Sequence, residues 1–260
     1  MALQSVMLLL LYAFLYFPIF YIIYLSFMEN SVWPFPPVFT GEHYETLGIM
    51  SDFHEGLWNS VLIGLGTGLL STLLAGLAVV GLLKYPSRLR GTMAVLYLAP
   101  LFVAHVLIGI STLMFNRGVL GVPGTISSTI LANSSYAIAF AFLIILAQLV
   151  RYDWRMDEAA MVFGANPART FWEVMLPNTW PALLGAFLVS FLLAFNNLEI
   201  SFYNLGAIPT LPTIAWGTLR HGIEPELYAL ASIVNAMVFF ALIVLYFLLR
   251  SGLLRLGPPE

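Results

Sequence analysis

The chain has 260 residues, of which 60% are hydrophobic and 9% charged, with a mean hydropathy of +0.92. Soluble domains carry about 25% charged residues, so this composition points to a bilayer protein. A net charge of −3 offers no basic field for nucleic acid, and the absence of cysteine removes disulfide scaffolds, thiolate metal sites and cysteine nucleophiles together.

A bilayer span takes roughly 20 apolar residues. The first such stretch, Val6–Met28, has no basic n-region and no small-residue cleavage site, and it reads as a retained helix. The segment after it, Glu29–Gly56, carries Glu29, Glu42, Glu45, Asp52 and Glu55 with no Lys or Arg, the pattern of a solvated acidic face or of a surface that attracts a ligand. A second stretch, Leu57–Leu83, contains Gly64, Gly66, Gly68 and Gly76, which let neighbouring helices approach closely. It ends at Lys84, the chain's single lysine, set between Leu83 and Tyr85. A Walker A loop needs a glycine run ending in Lys-Ser/Thr. Any ATP hydrolysis therefore belongs to another polypeptide.

The third stretch, Thr92–Phe115, includes His105, which reads as a hydrogen-bonded packing residue rather than a ligand. His43, His54 and His221 are scattered without metal-ligand spacing, and no metal site is expected. The fourth stretch is Asn133–Val150.

The segment Arg151–Trp180 is too long and too patterned for a plain connector. Met156, Ala159, Ala160 and Phe163 fall at i, i+3, i+4 and i+7, one stripe of a short helix that Asp153 can cap and Gly164 can end. Asn166 as N-cap and Pro167 at the first helical position start a second helix, running through Arg169, Phe171, Trp172 and Glu173 to Leu176, where Pro177 disfavours continuation. The expected result is a helix–glycine–helix elbow that packs on the chain's own spans or docks into a partner's groove.

A fifth stretch, Pro181–Tyr203, holds Asn196, Asn197 and Glu199. Ionisable residues inside spans are functional candidates. Glu199 either lines a pathway or, about one turn from the outer end, is exposed at the interface or makes a structural hydrogen bond. Asn196 and Asn197 are neighbours and cannot face one direction on a helix, so one is expected in the pathway and the other as a tie between helices. Asn204–Leu227 contains Pro209, Pro212 and a short amphipathic helix over Thr213–His221, and the sixth stretch is Tyr228–Leu249.

With the N-terminus cytoplasmic, Lys84, Arg88, Arg90, Arg151, Arg155, Arg169, Arg250 and Arg255 lie inside, against Arg117 and Arg220 outside. Positive charge marks the cytoplasmic side, so both termini are expected inside. The expected architecture is an all-α integral membrane protein, one domain over residues 1–260 with six transmembrane helices.

Glu158-Ala159-Ala160, three residues, Gly164, nine residues, Val174, one residue, Leu176-Pro177 reproduces the EAA pattern, EAA-x3-G-x9-I-x-LP, with Val for Ile. In this the chain resembles the permease subunits of type I ABC importers. The resemblance implies that Glu158, Ala159, Ala160 and Gly164 shape an interface with a separate ATPase, with Leu176 and Pro177 ending the elbow. It further implies an ATPase dimer that binds the ATP and Mg, a second permease that is homologous but distinct (the alternative being a second copy of this chain), a periplasmic or lipid-anchored substrate-binding protein, and residence in the bacterial inner membrane. No cofactor is expected in this chain, and no enzymatic activity of its own.

Trp58-Asn59-Ser60 followed by the glycine-rich span to Lys84-Tyr85-Pro86 extends the likeness. The pairing of Leu15-Tyr16-Phe17-Pro18…Ser26-Phe27 with Leu211-Pro212…Gly222-Ile223-Glu224-Pro225-Glu226…Ala229-Leu230-Ala231 is similar to permeases of polyamine-type importers. Where many of those have two aspartates in the fifth span, this chain has the uncharged Asn196-Asn197 and then Glu199. The expected cargo is accordingly a small polar solute of polyamine-like, amine, amino-acid-derived or phosphonate type. The alternative is a secondary transporter or channel not driven by ATP, which would call for internal repeats and buried charge pairs.

Overall fold

The structure is a computed structural model that describes residues 2–30, 34–85, 88–221 and 225–250. Pro86, the Gly222-Ile223-Glu224 part of the polyamine-type pattern and Arg255 lie outside the described residues. In chain order the helices are α1 (Ala2–Ser26), α2 (Glu42–Ile49), α3 (Ser51–Lys84), α4 (Arg90–Leu98), α5 (His105–Gly118), α6 (Ile126–Leu149), α7 (Arg155–Val162), α8 (Pro167–Thr170), α9 (Leu176–Phe195), α10 (Glu199–Leu205), α11 (Leu211–His221) and α12 (Pro225–Arg250). A 3-10 turn at Ala99–Phe102 follows α4, and a π-helical turn at Phe171–Met175 joins α8 to α9.

Four helical segments among the described residues are long and apolar enough to cross a membrane: Gln4–Ser26, Ser51–Lys84, Ile126–Leu149 and Pro167–Phe195. Arg90–Phe102 with His105–Gly118 would count as a fifth, but that pair is bent by 106°. The expected straight third span is thus broken. Pro100 removes one backbone bond and crowds the preceding turn, so α4 ends at Leu98 and passes into the 3-10 turn, after which Val103 and Ala104 run extended. The fourth expected stretch lies in α6, which begins seven residues before Asn133. Thr125 and Ser128 form a reciprocal capping box that satisfies its first amides.

The fifth span also differs from expectation at both ends. It starts at Pro167 rather than Pro181, and it stops at Phe195 instead of running to Tyr203. Asn196 ends α9, and α10 is a separate short helix.

Contacts divide the molecule into two compact units, each built by its own physics. The first holds residues up to Leu57 together with Thr210–Phe247. In it a bridge between Met28 and Phe39 closes the segment after α1, His43 Nε2 pairs with the carbonyl of Met28 at 3.0 Å, and the Ser26 and Tyr44 hydroxyls meet at 2.6 Å. His43 is therefore a buried structural residue. α11 covers the expected Thr213–His221 helix and begins two residues earlier; the Thr210 amide donates to Thr213 Oγ1 ahead of it.

The second unit includes Trp58–Pro209. Its core is Ala75, Val79 and Leu82 of α3, Ala141, Phe142, Ile145 and Leu149 of α6, and Met175 and Ala186 on the approach to and within α9. Lipid tails are as apolar as leucine, so such helices associate through close packing of small residues rather than through escape from water. A Cβ on Gly64 would stand 2.8 Å from the Phe191 ring, one on Gly68 2.9 Å from the Phe187 ring, and one on Gly66 would collide with Ile130. Gly76 is different: a Cβ there meets Leu183 at an ordinary 3.7 Å, so close approach does not require it.

Candidate functional site

The EAA segment is the elbow that its residues imply. The Asp153 carboxylate accepts the Arg155 amide at 3.1 Å ahead of α7. At the other end the Gly164 amide donates to Met161 O and the Ala165 amide to Ala160 O, both at 3.0 Å, the two bonds of a Schellman close. That close needs a left-handed residue, and Gly164 has φ +91°. Asn166 Oδ1 then accepts the Arg169 amide at 2.8 Å and Pro167 takes the first turn of α8.

Leu176-Pro177 does not end the elbow. The chain stays helical from Pro167 to Phe195, and the strain of Pro177 is taken up by the π turn before it, where the Leu176 amide bonds to Phe171 O, five residues back. The Asn178 side chain donates to Val174 O at 2.7 Å and Thr179 Oγ1 to Met175 O at 2.9 Å, each four residues back along the helix.

The stripe of α7 faces outward. Glu158, Ala159 and Gly164 are exposed, Ala160 is half-buried, and Phe163 and Val162 are 91% and 85% exposed. Trp172 beyond them is also exposed. An apolar tip of this kind has no partner within the described residues. The inward side of α7 is held by a residue the sequence reading passed over. Asp157 is only 3% exposed; its Oδ1 accepts the Tyr152 hydroxyl at 2.5 Å, and its Oδ2 lies 4.0 Å from the Lys84 ammonium at the end of α3. Burial first, then the hydrogen bond to Asp157 and the charges of Asp157 and Asp153, push the Tyr152 phenol well above its usual range. The surface pair Arg169–Glu173, at 2.8 Å and largely solvated, adds little.

A second feature lies at the far end of α9, around the break at Asn196–Leu198. A cavity of about 530 Å³ is lined by His105, Tyr136, Val189, Leu192, Leu193, Asn196, Asn197, Leu198 and Glu199. The two asparagines differ in burial and in partners, and among the described residues neither makes a side-chain bond to a distant helix. Asn197 is buried, and its Oδ1 accepts the Ile200 amide at 2.8 Å to cap α10. Asn196 is exposed; its amide nitrogen donates to Leu192 O at 3.2 Å. Glu199 Oε2 accepts from His105 Nδ1 at 3.0 Å, and the His105 ring stands edge-on to Tyr136 with centroids 4.2 Å apart.

Buried amides keep these groups in place. Asn204 Nδ2 on α10 lies 3.1 Å from Gly109 O, 3.1 Å from Thr112 Oγ1 and 3.0 Å from Ile200 O, and Asn204 Oδ1 takes a bond from Asn116 at 3.3 Å. Ser128 Oγ of α6 donates to Asn204 O at 3.2 Å. Gly109 lets α5 and α10 touch, since a Cβ there would stand 3.1 Å from Glu199 O. Asn116 and Asn204 were legible only as polar residues in apolar surroundings. The described residues contain no group of three or more His, Asp or Glu that could hold a metal ion.

The long apolar helices and the broken pair α4–α5 form an all-helical fold shared with chains of solved ABC transporters. The structure superposes on a bacterial ABC transporter involved in the import of the acidic polysaccharide alginate with a TM-score of 0.65, over 96% of this chain and 95% of that one at 18% identity. It superposes on the MetNI methionine ABC transporter with a TM-score of 0.55, over 76% of this chain and 91% of that one at 16% identity. More particularly, the sequence is similar to the putrescine transport system permease protein PotI of Escherichia coli (strain K12), 29% identical over 96% of this chain and 91% of that protein. It is also similar to the spermidine/putrescine transport system permease protein PotC of Haemophilus influenzae, 27% identical over 94% of each. No family model matches the chain. The likeness to polyamine-type permeases, suggested by the Leu15–Phe27 and Leu211–Ala231 segments, thus extends over nearly the whole chain.

Proposed function

We propose that this chain is the permease subunit of a binding-protein-dependent ABC importer and forms half of a translocation pathway for a small polar solute. The observation that carries the proposal is the elbow: a capped, glycine-broken helix pair with an exposed apolar tip at Val162 and Phe163, in a chain similar to transport permeases. Glu158, Ala159, Ala160 and Gly164 form the surface that a separate ATPase dimer engages; that dimer binds ATP and Mg. Leu176 and Pro177 sit in the helix that carries the movement into the membrane.

Six membrane passes with both termini cytoplasmic fit the positive-inside distribution of Lys and Arg. They also place the elbow and Lys84 on one side and Glu199 towards the other. The α4–α5 pair then counts as one broken pass and α12 as the last. The chain works in the bacterial inner membrane beside a second, homologous but distinct permease and a periplasmic or lipid-anchored binding protein, which Thr213–His221 helps to receive. Asn196 and Glu199 line the pathway, while Asn197 shapes it. Polyamine-like and other amine, amino-acid-derived or phosphonate solutes are the candidate cargo.

The test is purification of the intact complex from the native membrane followed by uptake into proteoliposomes. An ATPase subunit should co-purify, and Glu158→Ala and Gly164→Val should each abolish ATP-dependent uptake at normal membrane levels of the chain. Purification with no ATPase, together with unchanged uptake in both variants, would overturn the assignment. Proton-driven uptake without ATP would establish a secondary transporter instead.

A further inference from the structure

We propose that the Glu199 carboxylate is a binding subsite for a single ammonium group of the cargo, and that His105 is a built-in stand-in for that ammonium, displaced when cargo arrives. The inference rests on Glu199 lining the translocation pathway, as assigned above.

Beside the donors of His105 and the Tyr136 hydroxyl, the cavity's polar lining leaves two acceptors without a partner among the described residues. Glu199 spends Oε2 on His105, and Oε1 has no partner among the described residues. Asn196 spends its amide nitrogen on Leu192 O, which leaves its carbonyl oxygen as a second acceptor. Asn197, the other amide in the lining, is committed to the Ile200 amide. An ionised carboxylate and an amide carbonyl only accept, so they match a group that donates in several directions, as an ammonium does. Val189, Leu192, Leu193 and Leu198 supply an apolar wall for a short methylene chain behind the ammonium.

His105 occupies the place such a donor would take. Its Nδ1 reaches Glu199 Oε2 at 3.0 Å, and the edge-on Tyr136 ring holds the imidazole in that direction. Both partners remain partly open, with 35% and 46% of their side chains exposed, so a competing donor can approach without unpacking a helix. The backbone beneath them is fixed by the Asn204 bonds between α10 and α5. One carboxylate also sets a limit. Among the described residues lining the cavity Glu199 is the only acid, so the subsite takes one positive charge and gives no advantage to a second.

The experiment uses the whole purified complex in nanodiscs, without binding protein, and three four-carbon probes: butylammonium, neutral butanol and the dication butane-1,4-diammonium. Binding is followed by saturation-transfer NMR titration. Butylammonium should bind and butanol should not, and the dication should bind within about threefold of butylammonium. Glu199→Gln, isosteric with the native side chain, should weaken butylammonium about tenfold or more, the size of one charge-assisted hydrogen bond. Glu199→Asp, which keeps the charge, should retain most of it. His105→Ala should tighten binding, whereas a purely structural His105 would leave it unchanged or weaker.

Equal binding to wild type and Glu199→Gln overturns the subsite. A dication preference of tenfold or more overturns the single charge, and weaker binding in His105→Ala overturns the stand-in role. A complex that couples ATP hydrolysis to uptake yet binds no butylammonium sinks this inference alone. The absence of an ATPase partner would sink the proposed function instead.

Discussion

The Tyr152 hydroxyl donates to Asp157 Oδ1 at 2.5 Å, and Asp157 is the residue immediately before Glu158 of the elbow. Tyr152 and Trp154 pack against the core of α3, α6 and α9, so this bond ties the exposed elbow to the buried part of the second unit. A hydrogen bond to a charged group contributes about 1.5–3 kcal/mol. Tyr152→Phe should therefore raise the opening of α7, read as hydrogen exchange of its amides, by about tenfold or more. Asp157→Asn, which can still accept from Tyr152, should be milder. Unchanged exchange in Tyr152→Phe would show that α7 is held by packing alone.

Phe163 gives the opposite kind of prediction, because it is 91% exposed and has little to lose within its own chain. Burying a phenylalanine side chain is worth about 1.5–3 kcal/mol. Phe163→Ala should leave the thermal midpoint of the isolated permease unchanged and weaken ATPase docking about ten- to hundredfold. The check is titration of the purified ATPase against the permease in nanodiscs. Equal affinities would mean that the tip lies outside the interface.

The elbow was legible in the sequence because its signals are local. Asn166, Pro167 and Gly164 each act on the backbone within a few residues of themselves. Apolar runs mark the long helices α1, α3, α6 and α9, but not the breaks between helices, since a stretch apolar on every side has no periodicity to lose. Pro100 and the Asn196-Asn197 pair carry those breaks. The pairing of His105 with Glu199 was hidden for a different reason: the partners lie 94 positions apart, and only the folded α5 and α10 bring them together. Asp157 went unread because the apolar stripe of α7 points the other way.

Asn204 should matter to stability and to the cavity at once. Interhelical hydrogen bonds in membranes average about 0.6 kcal/mol and reach about 1.7. With bonds from one amide to both Gly109 and Thr112 of α5, Asn204→Ala should lose about 1–2 kcal/mol, measured as a lower unfolding midpoint in detergent. The same variant should loosen Glu199 from His105. Asn116→Ala, which removes one of the bonds to Asn204, should cost less. An unchanged midpoint in Asn204→Ala would mean that the network adds no net stability.

The π turn at Phe171–Met175 places one extra residue between the elbow and α9. Pro177 cannot donate to Glu173 O, and its ring would press on that carbonyl in a regular helix; the wider turn relieves the clash. Pro177→Ala restores both the donor and the space, so the turn should relax to regular α-helix. Removing one residue's worth of turn rotates everything before it by about 100° relative to α9. If the Val162–Phe163 tip docks on an ATPase as proposed, it would then be turned away from that partner, and uptake should fall while the chain still inserts. Because the protein has no cysteine, spin labels at Val162→Cys and Val150→Cys report this rotation without background. A distance distribution that stays in place on Pro177→Ala would show that the π turn is set by packing around Thr170 and Met175, both buried, and not by the proline.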